Sequence, residues 1–199
     1  MKFERFDEVV KFHGHSCPGL ALGYRVALAA IEELGIKRAE DEEIVCIVEN
    51  DSCAVDAIQV ITGCTFGKGN LLYRDYGKQV YTFFDRKKEK AVRISIDFEL
   101  TETDEEKAIW RRFTEGERTK EVLDFINRRK AEKTKQILNA DKEKLLKISY
   151  PSFNPPKEAR IFKSLRCEQC GEKVAEIKAR LLNGRTLCIP CFEAILCKK

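Results

Sequence analysis

His13-Gly14-His15-Ser16-Cys17-Pro18-Gly19-Leu20-Ala21-Leu22-Gly23 is the stretch from which the rest of the chain can be read. Pro18 has a fixed φ and no N–H, so it suits the first position of a helix. The helix it opens runs to about Leu34 and stops at Gly35. Its residues Leu20, Ala21, Leu22, Val26, Ala27, Leu28, Ala29, Ala30 and Ile31 are apolar nearly all round, so it is buried on most faces, in a core or at a subunit interface. With Pro18 at that position, Cys17 is the helix cap. Its sulfur then faces free backbone N–H groups and the positive end of the helix dipole, which favours thiolate. The only two histidines of the chain, His13 and His15, stand beside it.

Working outward, Phe6, Val9 and Val10 recur at helical spacing between Glu4 and Phe12. Ile44 to Val48 is a continuous apolar run of the kind a central strand carries. Asp51 or Ser52 caps a second helix, Cys53 to Thr62, which Gly63 ends. Cys53 therefore repeats the position of Cys17, and Asp56 follows on the first turn as a ligand, an orienting group or a base. Two activated cysteines near imidazoles are a candidate metal or catalytic centre. A straight helix over 53–62 separates its ends by ~15 Å, so Cys53 and Cys64 of one chain do not share an ion. Cys64 is a buried thiol, or joins a site across a dimer. Cys46, inside the central run, reads as inert core. Gly67, Lys68 and Gly69 lie in a loop without the spacing of a P-loop. It reads as a backbone-rich anion or ligand loop, or as an ordinary turn.

Leu71 to Arg74, Gln79 to Phe84 and Ala91 to Asp97 read as strands, the last two as an antiparallel hairpin through Asp85 to Lys90. Asp104 to about Asn139 gives two charged amphipathic helices with Ile109, Phe113, Val122, Leu123, Ile126 and Ile137 as dry stripes. Tyr150-Pro151 and Asn154-Pro155-Pro156 mark a linker. The expected organisation is an α+β core over 1–150 with a mixed or antiparallel sheet and packed helices, a linker over 151–160, and a small unit over 161–199.

That small unit carries Cys167-Glu168-Gln169-Cys170-Gly171 and, with seventeen residues between Cys170 and Cys188, Cys188-Ile189-Pro190-Cys191. Two Cys-x-x-Cys pairs at this separation match a four-cysteine zinc site. An iron–sulfur cluster and a redox disulfide pair are the alternatives. Gly171 eases the first turn, Asn183-Gly184 signals a hairpin, and Cys191 to Leu196 reads as a helix. Knuckle, hairpin and helix in that order describe a treble clef. Few apolar residues remain to fold so short a unit, so the metal supplies much of its folding energy.

Composition sets the bounds. The chain has 199 residues, 43% of them hydrophobic, enough for a real core. No apolar run reaches the ~20 residues of a membrane span. The start, Met1 to Asp7, has acids and lacks the apolar stretch of a signal peptide. A cytoplasmic protein is expected, and there nine cysteines point to metal or thiol chemistry. The net charge of +4 is weak. From Lys157 onward ten Lys or Arg face five Glu, which permits nucleic-acid contact without requiring it.

The motif quoted first resembles the N-terminal signature of the FmdE family, named for the FmdE polypeptide of tungsten or molybdenum formylmethanofuran dehydrogenase. So does Cys53-Ala54-Val55-Asp56-Ala57-Ile58-Gln59, followed by Thr62-Gly63-Cys64-Thr65-Phe66-Gly67-Lys68-Gly69-Asn70-Leu71. The resemblance covers roughly residues 8–135, and the four-cysteine unit resembles a finger found on some members. It implies an α+β core that forms a homodimer, with a site drawn from His13, His15, Cys17, Cys53 and Cys64. It also implies an accessory role beside the partner subunits of a molybdenum or tungsten enzyme of one-carbon metabolism, including methanogenesis, in an oxidoreductase system. Two other readings stand beside this one. The chain is a stand-alone metalloenzyme with three protein ligands, an open water position and Asp56 as base, or a binding module that touches nucleic acid or protein through its finger.

Overall fold

The computed structural model describes residues 5–98 and 102–197. The chain divides into two compact units, Met1–Glu158 and Ala159–Lys199. Among the described residues no helix is long and apolar enough to cross a membrane.

The first unit is built on a five-stranded mixed sheet. Its strands are β1 (Ile44–Val48), β2 (Leu71–Tyr73), β3 (Val80–Asp85), β4 (Lys90–Ile96) and β5 (Leu146–Ser149), in the order β2-β1-β3-β4-β5. All five residues of β1 are buried, as its unbroken apolar run requires of an inner strand. β1 pairs in parallel with β2, with Cys46 opposite Leu71, and antiparallel with β3. β3 and β4 form the expected hairpin. A parallel neighbour needs a crossover, which is supplied by helix α3 (Ala54–Thr62). β5 pairs with β4 and has no counterpart among the strands read from the sequence, because four residues before a proline-rich stretch carry too short a pattern.

Alternation on β3 sorts the two faces. Tyr81 and Phe83 enter the main core with Cys46, Val48, Val92 and Ile94, under the helices. Phe84 turns to the other face with Val45, Ile47 and Ala91, where Phe153 of the proline-rich segment packs. Arg86 Nη2 ties that segment down through a 2.6 Å bond to the Pro156 carbonyl.

Helix α1 spans Phe6–His13; the expected start at Glu4 lies outside the described residues. Helix α2 spans Pro18–Leu34 and ends at Gly35 in the left-handed conformation, as read from the sequence. Its apolar character is accounted for within the chain, since Leu22, Leu28 and Ile31 pack half-buried on the same core as its buried residues. Gly23 is what lets α2 reach α3. A Cβ there would sit 2.1 Å from the Ala54 carbonyl oxygen and 2.5 Å from its Cα, so the two backbones touch.

Helices α4 (Asp104–Thr114) and α5 (Lys120–Asn139) form the charged pair read from the sequence. Thr103 and Glu106 make a capping box at the start of α4. The pair has its own small core of Val122, Phe125 and Ile126 with Ile109, Trp110 and Phe113. Ile137 instead joins the main core, and Leu123 is half-buried outside the small one. Arg25 of α2 grips the last carbonyls of α5, at 2.6 Å to Ile137, 3.0 Å to Leu138 and 2.7 Å to Ala140. The short helix α6 (Lys142–Leu145) leads into β5.

The second unit has two hairpins and a helix. β6 (Ser164–Arg166) pairs with β7 (Lys173–Ala175) around the first cysteine pair, where Gly171 takes φ +78°. β8 (Arg180–Leu182) pairs with β9 (Arg185–Leu187). Asn183 and Gly184 between them both have positive φ, 51° and 78°, the turn that Asn-Gly favours. Helix α7 (Ile189–Leu196) begins two residues before the expected Cys191, with Cys188 as its cap and Pro190 in its first turn. The order is that of a treble clef.

Candidate metal centres

The core centre is assembled from the ends of three helices. His13 closes α1, Cys17 caps α2 and Cys53 caps α3. Cys17 has extended backbone, and its sulfur accepts a bond from the Leu20 N–H at 3.4 Å, the geometry expected from Pro18. Cys53 has helical backbone and makes no such capping bond. The two positions are therefore less alike than their sequence suggests. Burial first, and then neighbouring Cys17, push the Cys53 thiol up rather than down, against the expectation of an activated thiol there.

His13 Nε2 lies 3.9 Å from Cys17 Sγ. The ligand atoms of His13, Cys17 and Cys53 all fall within 4.8 Å of one another. On its other nitrogen, Nδ1, His13 donates to Asp56 Oδ2 at 2.7 Å. The carboxylate holds the proton on Nδ1 and leaves the Nε2 lone pair facing the sulfurs, the arrangement by which carboxylates orient metal-binding histidines. Gln59 Nε2 donates to Asp56 Oδ1 at 3.3 Å. Both carboxylate oxygens are thus engaged, which favours the orienting role for Asp56 over that of a base.

One nitrogen and two sulfurs suit a soft or borderline divalent ion. Bonds of ~2.05 Å to nitrogen and ~2.3 Å to sulfur at a tetrahedral angle put those atoms ~3.6 Å apart. The observed 3.9 Å needs only a small closing movement. His13 and Cys53 line a groove of 380 Å³, with Val48 and Leu71 among its apolar lining and the exposed Phe66 and Tyr73 beside them.

Three other groups read as site residues stand apart. His15 is exposed, and its ring lies against that of His13 at 4.5 Å between centroids and 41° between planes, outside the ligand group. Cys64 is wholly buried in the main core, where its thiol donates to the Ile44 carbonyl at 3.5 Å. Burial pushes it up to about 11. Helix α3 separates it from Cys53, and it lies outside the group formed by His13, Cys17 and Cys53. In the loop of Gly67, Lys68 and Gly69, the Lys68 Nζ donates to the carbonyls of Ala39, Glu40 and Asp41 at 3.5, 3.2 and 3.3 Å. Its charge closes a backbone loop instead of facing an anion. Cys46 is fully buried in β1, as expected of an inert core thiol. Gln59, Phe66 and Tyr73 were not singled out by the sequence reading. For Gln59 the available signal was its place one turn after Asp56.

In the finger, the sulfurs of Cys167, Cys170, Cys188 and Cys191 lie within 4.8 Å of one another. Cys170 and Cys188 are 3.8 Å apart, matching the ~3.8 Å edge of a tetrahedron with 2.3 Å zinc–sulfur bonds. Backbone N–H groups, first that of Cys170 and then that of Cys188, hold Cys167 down at about 6. Cys191 is pushed up to about 12, chiefly by Cys188. Four thiols this close do not all ionise without a cation among them, so the donor set fits a divalent metal. Cys197 lies outside the group.

The family model described as FmdE, molybdenum formylmethanofuran dehydrogenase operon, matches residues 12–147. The chain belongs to the FmdE family. A second model, the prokaryotic dksA/traR C4-type zinc finger, matches residues 160–195 and, with the sulfur geometry, supports a structural zinc ion there. A curated relative of this FmdE-family chain is a probable S-adenosyl-L-methionine-binding protein of Archaeoglobus fulgidus, 35% identical over 193 residues. That match takes in 91% of this chain and 50% of the relative, so the chain spans about half the relative's length. Among solved structures, a tungsten formylmethanofuran dehydrogenase FmdE-like protein from Syntrophus aciditrophicus superposes with a TM-score of 0.64 at 25% identity, over 96% of this chain and 92% of that one.

Proposed function

We propose that the core unit binds one soft or borderline divalent metal ion through His13, Cys17 and Cys53, with the fourth position open to the groove. The observation that carries this reading is the convergence of one imidazole nitrogen and two sulfurs within 4.8 Å, with Asp56 fixing the imidazole from behind. Structural metal sites fill every position with protein, whereas sites that act on a ligand keep one free. The bound ion would act as a Lewis acid on whatever enters that position. The residues of the chain supply the rest: His13 and the two thiolates would hold the ion, and Asp56 would orient the imidazole.

The physiological setting we infer is an accessory or subunit role in a molybdenum or tungsten formylmethanofuran dehydrogenase-type system of one-carbon metabolism. Support comes from the description of the matching family and from the solved relative. An oxidoreductase system, methanogenesis and a cytoplasmic location belong to this reading through the family. A homodimer does so through the family alone, since α2 buries its apolar surface inside its own chain. S-adenosylmethionine binding is not carried over from the relative, of which the chain spans half. The joint between β1 and α3, Glu49-Asn50-Asp51-Ser52-Cys53, also has none of the glycines of a nucleotide-binding turn. Nucleic-acid contact by the finger has only the charge of that segment behind it and is not proposed.

Metal counting on purified protein tests the core site. Two ions per native chain are expected, falling to one in Cys17→Ser and in Cys53→Ser, and also to one in Cys170→Ser. One ion in the native chain that survives Cys17→Ser would refute the core site.

A further inference from the structure

The groove beside the core centre has a chemical character that narrows what enters it. Its charged lining consists of Asp51 and Asp56, with no lysine or arginine among the lining residues. A divalent ion with two thiolates and a neutral imidazole is formally neutral, so an incoming anion would meet two carboxylates and no compensating cation. The amide and hydroxyl side chains of the wall, Asn50, Ser52 and Gln59, are already engaged. Asn50 Nδ2 donates to the Lys78 carbonyl at 2.7 Å, and Asn50 Oδ1 accepts from Ser52 Oγ at 2.7 Å. Gln59 donates to Asp56 and accepts from the Phe66 N–H at 3.5 Å. A ligand therefore gains little from hydrogen bonds to these amides and this hydroxyl.

What the groove does offer is aromatic and apolar surface. Phe66 is 76% exposed and Tyr73 44% exposed at its rim, and Leu71 and Val48 are buried at its floor. Large aromatics left open to solvent beside a concave apolar surface are the usual wall of a small-molecule site. The 380 Å³ volume lies at the small end of the range for small-molecule pockets.

We infer that the groove takes an uncharged or cationic flat aromatic molecule, which supplies one neutral donor atom to the open position of the metal. Phe66 and Tyr73 hold the ring, and Asp51 and Asp56 exclude anions. This inference rests on the metal reading above and adds the ligand class.

The test uses the full chain loaded with cobalt(II), whose visible spectrum reports a new ligand. The finger, closed by four sulfurs, leaves a constant background. The probes are imidazole, 4-phenylimidazole and 4-(imidazol-4-yl)benzoate, which add a ring and then a negative charge to the same donor. The phenyl group should tighten imidazole binding at least tenfold, and the added carboxylate should cancel most of that gain. In a Phe66→Ala/Tyr73→Ala double variant the tenfold gap should shrink below threefold while two cobalt ions per chain remain. Both side chains are exposed, so the fold is not at risk. Equal affinity for imidazole and 4-phenylimidazole, or the carboxylate derivative binding as tightly as 4-phenylimidazole, overturns the inference and leaves the metal site standing. A single cobalt per chain overturns both.

Discussion

Replacing Asp56 with asparagine isolates the contribution of one charge to the core centre. Asp56 Oδ2 accepts from His13 Nδ1 at 2.7 Å, and the two side chains are 35% and 12% exposed, so the bond is partly shielded from water. A net hydrogen bond to a charged group contributes roughly 1.5–3 kcal/mol, against about 1 kcal/mol for a neutral one. The loss is the difference between the two, roughly 0.5–2 kcal/mol, and partial exposure puts it at about 1 kcal/mol. That corresponds to about fivefold weaker metal binding, since 1.4 kcal/mol is a factor of ten. Asp56→Asn still presents an oxygen to Nδ1 and keeps the ring oriented. Asp56→Ala removes orientation as well and should fall nearer the ~100-fold end of what such partners contribute. Competition against a chromogenic chelator measures both, with the finger as an internal reference in the same molecule. Core affinities of both variants within about twofold of the native chain would refute the orienting role. So would equal losses at the core and the finger, which would signal general unfolding.

Gly23→Ala should destabilise the first unit by about 3 kcal/mol or more in denaturant melts, because the new methyl meets the backbone of Ala54 and not a side chain that can move. A loss under ~1 kcal/mol would show that the helices slide apart freely. Cys188→Ser should abolish amide protection in both finger hairpins while the first unit keeps its stability within about 0.5 kcal/mol; protected hairpins would mean that the finger folds without its metal. Cys64 should resist alkylation from pH 7 to 9 in the folded chain, since its thiolate forms only as pH rises toward about 11 and the sulfur is enclosed, while exposed Cys197 is labelled readily. Mass mapping after a short iodoacetamide pulse reads the difference, and labelling of Cys64 at the rate of Cys197 would contradict its burial.

Local chemistry was the legible part of this sequence. Pro18 and Gly35 delimit α2 because a ring closure and a left-handed φ are properties of single residues. The finger was readable because its metal fixes the spacing of its ligands, and Asn183-Gly184 because its turn demands positive φ. The partnership of His13 with Asp56 was not legible, since 43 residues separate them and only the packing of α1 against α3 in the folded chain brings them together. The parallel pairing of β2 on β1 is likewise set by tertiary packing. For Cys64 and Lys68, residue types that suit chemistry sit where burial and backbone carbonyls already satisfy them, and burial depends on the whole fold.

The grip of Arg25 on the last turn of α5 has a consequence for motion. The α4–α5 hairpin keeps a private set of apolar contacts and is riveted to the sheet unit at one end. Such a segment opens as a single cooperative piece at lower free energy than the body it hangs from. Its amides will therefore trade hydrogen for deuterium earlier than those of α2, and the sulfurs of Cys17 and Cys53, mounted on helices that belong to the other body, will not register the opening.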